Sequence, residues 1–403
     1  MGKIRNQKKV QRLKIIALLS VIVLLCEVVY ISYYYFSNKG HSIYFESINA
    51  LVVNDGSYVG VGSNNDNDNH YEKAKISMYN SKKEKVFEKL YNVGYNSAFF
   101  GVVADEDSYV AVGSYEKDED DHKDSVRKAL IVKYDSEGNE IFSSDFQILD
   151  NSKFTSVVKV GDDYLVTGQS IYKNTKIGNK VGGAVLAKYS KDGILLWSKT
   201  YGSNKSSIFN DLMIVNNSIY AVGTDDNYLG IIVKYDMDGN YIKHNDYKVT
   251  DSLGFSGITN IGNFIYISGA LRRDDNNTDA MIVRYNLDCV YIDQAVYSGT
   301  GNERFNKLTV DGDENIITIG TMATAKKQSG ISEYNYDGII AKYDSELKEI
   351  DNVIYGDDRD DFFTDIVPYN NEYLVSGYSS YEDGSYMSKF IRYSKALKVL
   401  GVE

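Results

Sequence analysis

Any chemistry in this chain falls to carboxylates. Acidic side chains outnumber basic ones 56 to 44, and only four histidines occur, His41, His70, His122 and His244. None of the four lies in a GxSxG, HExxH or Cys-His setting. The two cysteines, Cys26 and Cys289, are far apart and near no histidine pair, which excludes a disulfide framework and a thiolate zinc site. The acids crowd in three stretches. Asp66 and Asp68 precede His70, the run Asp118, Glu119, Asp120 and Asp121 precedes His122, and Asp357, Asp358, Asp360 and Asp361 surround Arg359. Hard oxygen ligands at this density suit Ca²⁺ or a basic partner. The plainer reading is a solvated charge run that keeps a domain soluble, and no stretch reproduces an EF-hand loop. A carboxylate pair also serves glycoside hydrolysis, but among so many acids no single pair stands out. No cofactor beyond Ca²⁺ is implied.

The elements that position these acids repeat. A strand-like signature ending in glycine recurs as YVGVG, YVAVG, YLVTG, IYAVG, IYISG, IITIG and YLVSG, with glycines at 62, 113, 168, 223, 269, 320 and 377. The period is therefore near 50 residues. About ten residues before each signature comes an aromatic, read as Phe45, Phe100, Phe154, Phe209, Phe255, Phe305 and Phe363. After it comes an alternating run ending in tyrosine, such as LIVKY at Tyr134 or IIVKY at Tyr235, and then a turn into a fourth short run. Each unit thus predicts four strands, a to d. The turn after the tyrosine carries Gly138, Gly193 and Gly239 in three units, where a positive-φ residue is needed. Lys83, Cys289, Leu347 and Leu397 stand there in the others, so those hairpins either turn differently or accept strain.

A four-stranded unit cannot bury both faces alone, and radial repetition is the usual solution. The single proline, Pro368, agrees with many strands donating ladder bonds. A linear solenoid fits less well, because its coils are normally shorter. The expectation is an all-β, seven-bladed β-propeller of four-stranded blades over 43–403, closing where the first unit meets the last. The succession FxxV, YLVxG and AxxxKYxxxGxxxWxKTYG, best seen from Phe154 to Gly202, resembles the bacterial secreted and membrane-anchored β-propeller repeats grouped with the quinoprotein-like propellers. That resemblance implies the architecture and no particular ligand. WD dipeptides, kelch double glycines and Asp-box spacing do not recur.

Ahead of the repeats, residues 15–36 read IIALLSVIVLLCEVVYISYYYF, long enough to cross roughly 30 Å of hydrocarbon as one helix. Six basic residues precede it and only Lys39 follows closely, which predicts a cytoplasmic 1–14, a signal anchor over 15–36, a linker over 37–42 and a body outside the membrane. No small-residue cleavage site follows the run, and Leu25 stands where a lipobox before Cys26 needs a small residue. Glu27 is read as a lone carboxylate of a single anchor, with a partner helix in the membrane as the alternative. The body carries the whole acidic excess, which repels phosphate backbones and excludes nucleic-acid binding.

These readings combine into one expectation. The chain is a membrane-anchored extracytoplasmic propeller that binds or scaffolds a surface protein or cell-wall component through its variable b–c loops, with no catalytic constellation. The alternative is a surface glycan hydrolase using paired acids on the loop face. A convergent pair of buried channel carboxylates with raised pKa values favours the hydrolase; scattered, solvated acids favour binding.

Overall fold

A computed structural model describes residues 44–403 apart from 66–70, 92, 118–125, 172–181, 203–206, 226, 228, 249–251, 274–276, 300 and 327–332. Among these the protein is all strand, with 28 strands in seven successive meanders. The segment expected to span the membrane lies outside the described residues, and no described helix is long and apolar enough to cross one.

The blade count differs from expectation. The strands form five separate four-stranded blades and one eight-stranded sheet, not seven independent blades. Units 2 and 3 merge because the start of one inner strand (Asn151–Val160) meets the start of the preceding third strand (Val126–Tyr134). Arg127 and Asn151 form a parallel bridge there, and the Arg127 amide donates to the Asp150 carbonyl at 2.9 Å. The same parallel contact joins Phe45 to Tyr386 between the first and last units. The last sheet keeps four strands of its own, Asp361–Val402, so the ends meet through that bridge, with the Tyr386 amide donating to the Tyr44 carbonyl at 2.9 Å, and through packing and side-chain bonds, without exchanging a strand. Tyr58 donates to Glu403 at 2.8 Å and Tyr369 to the Gly56 carbonyl at 3.0 Å across that junction.

The repeated glycine has a clear cause. Each inner strand bulges by one residue opposite the signature glycine, which brings a backbone carbonyl against it. A Cβ on Gly113 would stand 1.9 Å from the Ala98 carbonyl oxygen, and one on Gly320 1.8 Å from that of Arg304. The bulge also sets the aromatic register, and here two sequence assignments are corrected. Ile48 and Phe99 fill the buried position in units 1 and 2. Phe45 lies ahead of its strand, and Phe100 is the bulged residue itself.

In six units the buried aromatic meets the tyrosine ending its own third strand edge-on, from Phe99 with Tyr134 at 6.3 Å to Phe363 with Tyr393 at 6.3 Å. Such pairs contribute about 0.5–1.5 kcal/mol each beyond area burial. The turn following that tyrosine is the same in every unit. Lys83, Cys289, Leu347 and Leu397 adopt positive φ of 71°, 55°, 61° and 51°, so these residues accept the left-handed conformation. The compensation comes from the preceding unit. Gly138, Gly193 and Gly239 lie under the rings of Phe87, Phe142 and Trp197, so close that a Cβ would stand 2.4–2.7 Å from the ring. Cys289, Leu347 and Leu397 face units whose outer strands offer Lys243, Asp293 and Asp351 at the matching register. There the turn residue is buried and fills the space itself.

Candidate functional site

The inner strands surround a cavity of about 310 Å³. Two rings of side chains line it, and the bulge determines both.

The first ring is the bulged residue. Where it is polar it donates across to the next unit's inner strand. Asn49 reaches the Phe99 carbonyl at 2.8 Å, Thr155 the Phe209 carbonyl at 2.6 Å, Asn210 the Phe255 carbonyl at 2.6 Å and Asn306 the Phe363 carbonyl at 2.9 Å. Thr364 closes the circle on the Ile48 carbonyl. Phe100 has nothing to donate, and Ser256 instead accepts from Arg304 at 2.6 Å. The circumferential girdle is therefore open at units 2 and 5.

The second ring, one residue later, is asymmetric. Ala50, Gly101 and Ser156 form a small-residue half, whereas Asp211, Lys307 and Asp365 place three ionisable groups opposite, with Gly257 between the first two. Lys307 Nζ lies 2.7 Å from Asp211 Oδ2. Ser156 donates to the other Asp211 oxygen at 2.6 Å, and the Ile258 amide approaches Oδ2 at 3.2 Å. Among the described residues Asp365 accepts only backbone amides, from Leu51 at 2.7 Å and Ile366 at 2.8 Å. Burial pushes its carboxyl up to about 6, despite the pull of Lys307 and the two amides. Burial lowers the Lys307 ammonium, but the neighbouring carboxylates Asp211 and Asp365 outweigh that effect and raise it.

Two further cations stand one level nearer the b–c loops, at the residue before the buried aromatic. Lys153 Nζ lies 5.8 Å from the centre of the Phe100 ring, a wall of the cavity. Arg304 binds the Ser256 hydroxyl. Burial lowers both, and among the described residues neither has a carboxylate partner.

Of the residues singled out in the sequence, Asp66, Asp68, His70, Asp118, Glu119, Asp120, Asp121 and His122 lie outside the described residues. The third stretch is described, and its charges are engaged locally. Asp357 pairs with Arg359, Nη2 to Oδ2 at 2.6 Å, and that guanidinium holds the Asp357 carboxyl below its ordinary range. Arg359 also stacks over Tyr381 at 5.3 Å. Asp360 accepts from the Tyr336 amide at 3.0 Å, and its own amide donates to Ser380. Asp361 is buried against Lys389 at 2.7 Å and Ser379. Asp358 remains exposed. Among the described residues no group of three or more His, Cys, Asp or Glu is placed to hold a metal.

The channel quintet of Lys153, Asp211, Arg304, Lys307 and Asp365 was missed from sequence. Its signal was present as register: each residue sits at a fixed step from the repeated aromatic, where other units carry small or neutral side chains.

No family model and no curated protein sequence matches the chain. Solved structures do. The β-propeller domain of the Trilobed protease from Pyrococcus furiosus, described as having an open velcro topology, aligns over 90% of this chain and 97% of its own with a TM-score of 0.51 at 10% identity. A puromycin-hydrolysing peptidase of Mycobacterium tuberculosis aligns over 88% of this chain and 52% of its own, with a TM-score of 0.51 at 9% identity. At these identities the likeness establishes a β-propeller fold and nothing finer.

Proposed function

We propose that the protein is a non-catalytic binding module, anchored by residues 15–36 and displayed outside the membrane, whose b–c loop face takes a surface protein or cell-wall component. The observation that carries this reading is the contrast between framework and loops. Five of the seven inner strands are tied to the next unit by the same hydrogen bond from a fixed position, while the b–c segments joining each unit's second and third strands differ in length and charge. A rigid frame under varied loops is how recognition surfaces are usually built. Ca²⁺ bound by the acidic loops belongs to this reading as a further proposal.

The test is capture of surface components by the full-length protein, wild type against a variant with Asp118, Glu119, Asp120 and Asp121 changed to Ser. Retention of one specific partner by wild type and its loss by the variant is expected; equal retention removes the acidic rim from the argument. Protease added to intact cells is expected to digest the body and spare an N-terminal tag, and full protection refutes the topology.

One observation favours the hydrolase alternative. Asp211 and Asp365 both line the cavity in different environments, one paired with Lys307 and one with a raised pKa, a division of roles that acid–base catalysis uses. Against it, Lys307 stands with the pair, and every carboxylate oxygen already accepts a hydrogen bond. Turnover of a surface glycan by the purified protein, abolished in Asp365→Asn, would overturn the binding reading.

A further inference from the structure

The five ionisable groups of the channel are sorted along its axis. Lys153 and Arg304 occupy the level toward the b–c loops, and Asp211, Lys307 and Asp365 the level below. Within the lower level Asp211 and Lys307 satisfy each other, which leaves the Asp365 carboxylate without a cation in hydrogen-bond contact. In the upper level both cations lack an anion among the described residues. Buried charges are normally paired, because an uncompensated one costs several kcal/mol. Here Asp365 lines the cavity, Lys153 stands over the Phe100 ring that walls it, and Arg304, half-buried, holds the Ser256 hydroxyl at the same upper level.

Residue sizes open the space between them. Ala50, Gly101 and Ser156 stand on the side facing the charged half, where long side chains would have filled the axis. The remaining wall is mixed: Asn49, Thr155 and Asn210 are polar, while the Phe100 ring and aliphatic side chains such as Val102, Val157 and Leu212 are apolar.

We propose that the channel binds a small zwitterion, an amino acid or related molecule with its amine and carboxylate well separated, held with the anionic end between Lys153 and Arg304 and the ammonium on Asp365. The two levels are separated by two strand steps once the bulge is discounted, about 7 Å, which matches the span of a five-carbon ω-amino acid. Phe100 lies along the hydrocarbon. Neither end alone satisfies the channel: an anion leaves Asp365 unpaired and a cation leaves Lys153 and Arg304 unpaired. The proposal is independent of the partner on the loop face.

The probes are 5-aminopentanoate, pentanoate and n-pentylamine, titrated calorimetrically into the full-length protein in mild detergent. The zwitterion is expected to bind at least about tenfold more tightly than either monofunctional analogue, the difference one additional paired charge makes. Arg304→Gln is expected to remove its advantage over pentylamine, and Asp365→Asn its advantage over pentanoate. These losses fall on opposite ends of the ligand, so general loosening of the channel does not imitate them. Near-UV circular dichroism checks each fold, and Lys153→Gln reports on the anionic end should Arg304→Gln fail to fold. Pentanoate binding as tightly as the zwitterion, pentylamine doing so, or no binding of any probe at millimolar concentration overturns the proposal.

Discussion

Two buried aspartates, Asp311 and Asp365, experience the same ring from different places. Asp311 sits where unit 6 packs on unit 7. It accepts from the Asp313 and Asn315 amides, each at 2.9 Å, from Tyr373 at 2.7 Å, and pairs with Lys342 at 3.2 Å. Burial works to raise its pKa, but the Asn315 amide, the Tyr373 hydroxyl and the other donors outweigh it and hold the carboxyl far below its ordinary range. Asp105 repeats the arrangement between units 2 and 3, where Lys133, Lys159 and Tyr164 overcome burial. Asp365, on the inner wall, has two amides and no cation in contact, and burial prevails. The difference separates charges committed to holding the ring from a charge left available within it.

The sharpest way to break this comparison is to remove Asp311. Asp311→Ala strands Lys342 and Tyr373 and undoes a turn, and a loss of about 3–5 kcal/mol in urea unfolding is expected, the usual cost of breaking a buried pair from one side. A loss comparable to a surface substitution would show that the interface does not depend on the pair.

The pH response gives the next largest effect, with opposite signs for the two sites. Asp365 has a folded pKa of about 6 against 3.8 ordinarily, so the folded state binds the proton more tightly. Its ionisation costs stability as pH rises from 4 to 6, roughly 3 kcal/mol by linkage. Asp311 and Asp105, whose folded pKa values are depressed, contribute stability present above pH 4 and lost as pH falls below it. Wild type is therefore expected to gain stability relative to Asp365→Asn between pH 7 and pH 4. A difference constant over that window contradicts the assignment.

The girdle supplies the smallest effects. Asn306→Ala is expected to lose about 1 kcal/mol, a typical single hydrogen bond. Phe100→Asn introduces the missing donor toward the Phe154 carbonyl, and a gain of up to about 1 kcal/mol in unfolding free energy is expected. If Phe100→Asn is instead destabilising, the ring's contact with Lys153 outweighs the missing bond.

Much of the architecture was legible in the sequence because backbone geometry forces it. The signature glycine must lack a Cβ to let a carbonyl approach, and the paired Phe and Tyr must be large to fill the blade, so both recur visibly. The blade count was not legible, because the merging of units 2 and 3 rests on one bridge between Arg127 and Asn151, whose residue types carry no signature of pairing. The aromatic register slipped at Phe100 because two adjacent aromatics, Phe99 and Phe100, fit one pattern and only the bulge decides between them, and at Phe45 because the buried position of unit 1 holds the aliphatic Ile48. The acidic stretch at 357–361 stood out by density, yet its described members mostly bond to their own surroundings. The channel charges are single residues in ordinary company, informative only once the seven inner strands are brought around one axis.

The turn after the third strand has a consequence for how such a chain tolerates rearrangement. A ring of Phe87, Phe142 or Trp197 needs glycine in the unit that follows, whereas Cys289, Leu347 and Leu397 need a predecessor without one. Units are therefore not interchangeable parts, because each carries an address for its neighbour. Unit 3 duplicated in tandem places Gly193 under a second Trp197 and remains compatible. Unit 6 spliced after unit 3 drives Leu347 into that indole. Recombination within the array is thus confined to junctions where ring meets glycine or side chain meets open space, and the order of the units is written into contacts between neighbours.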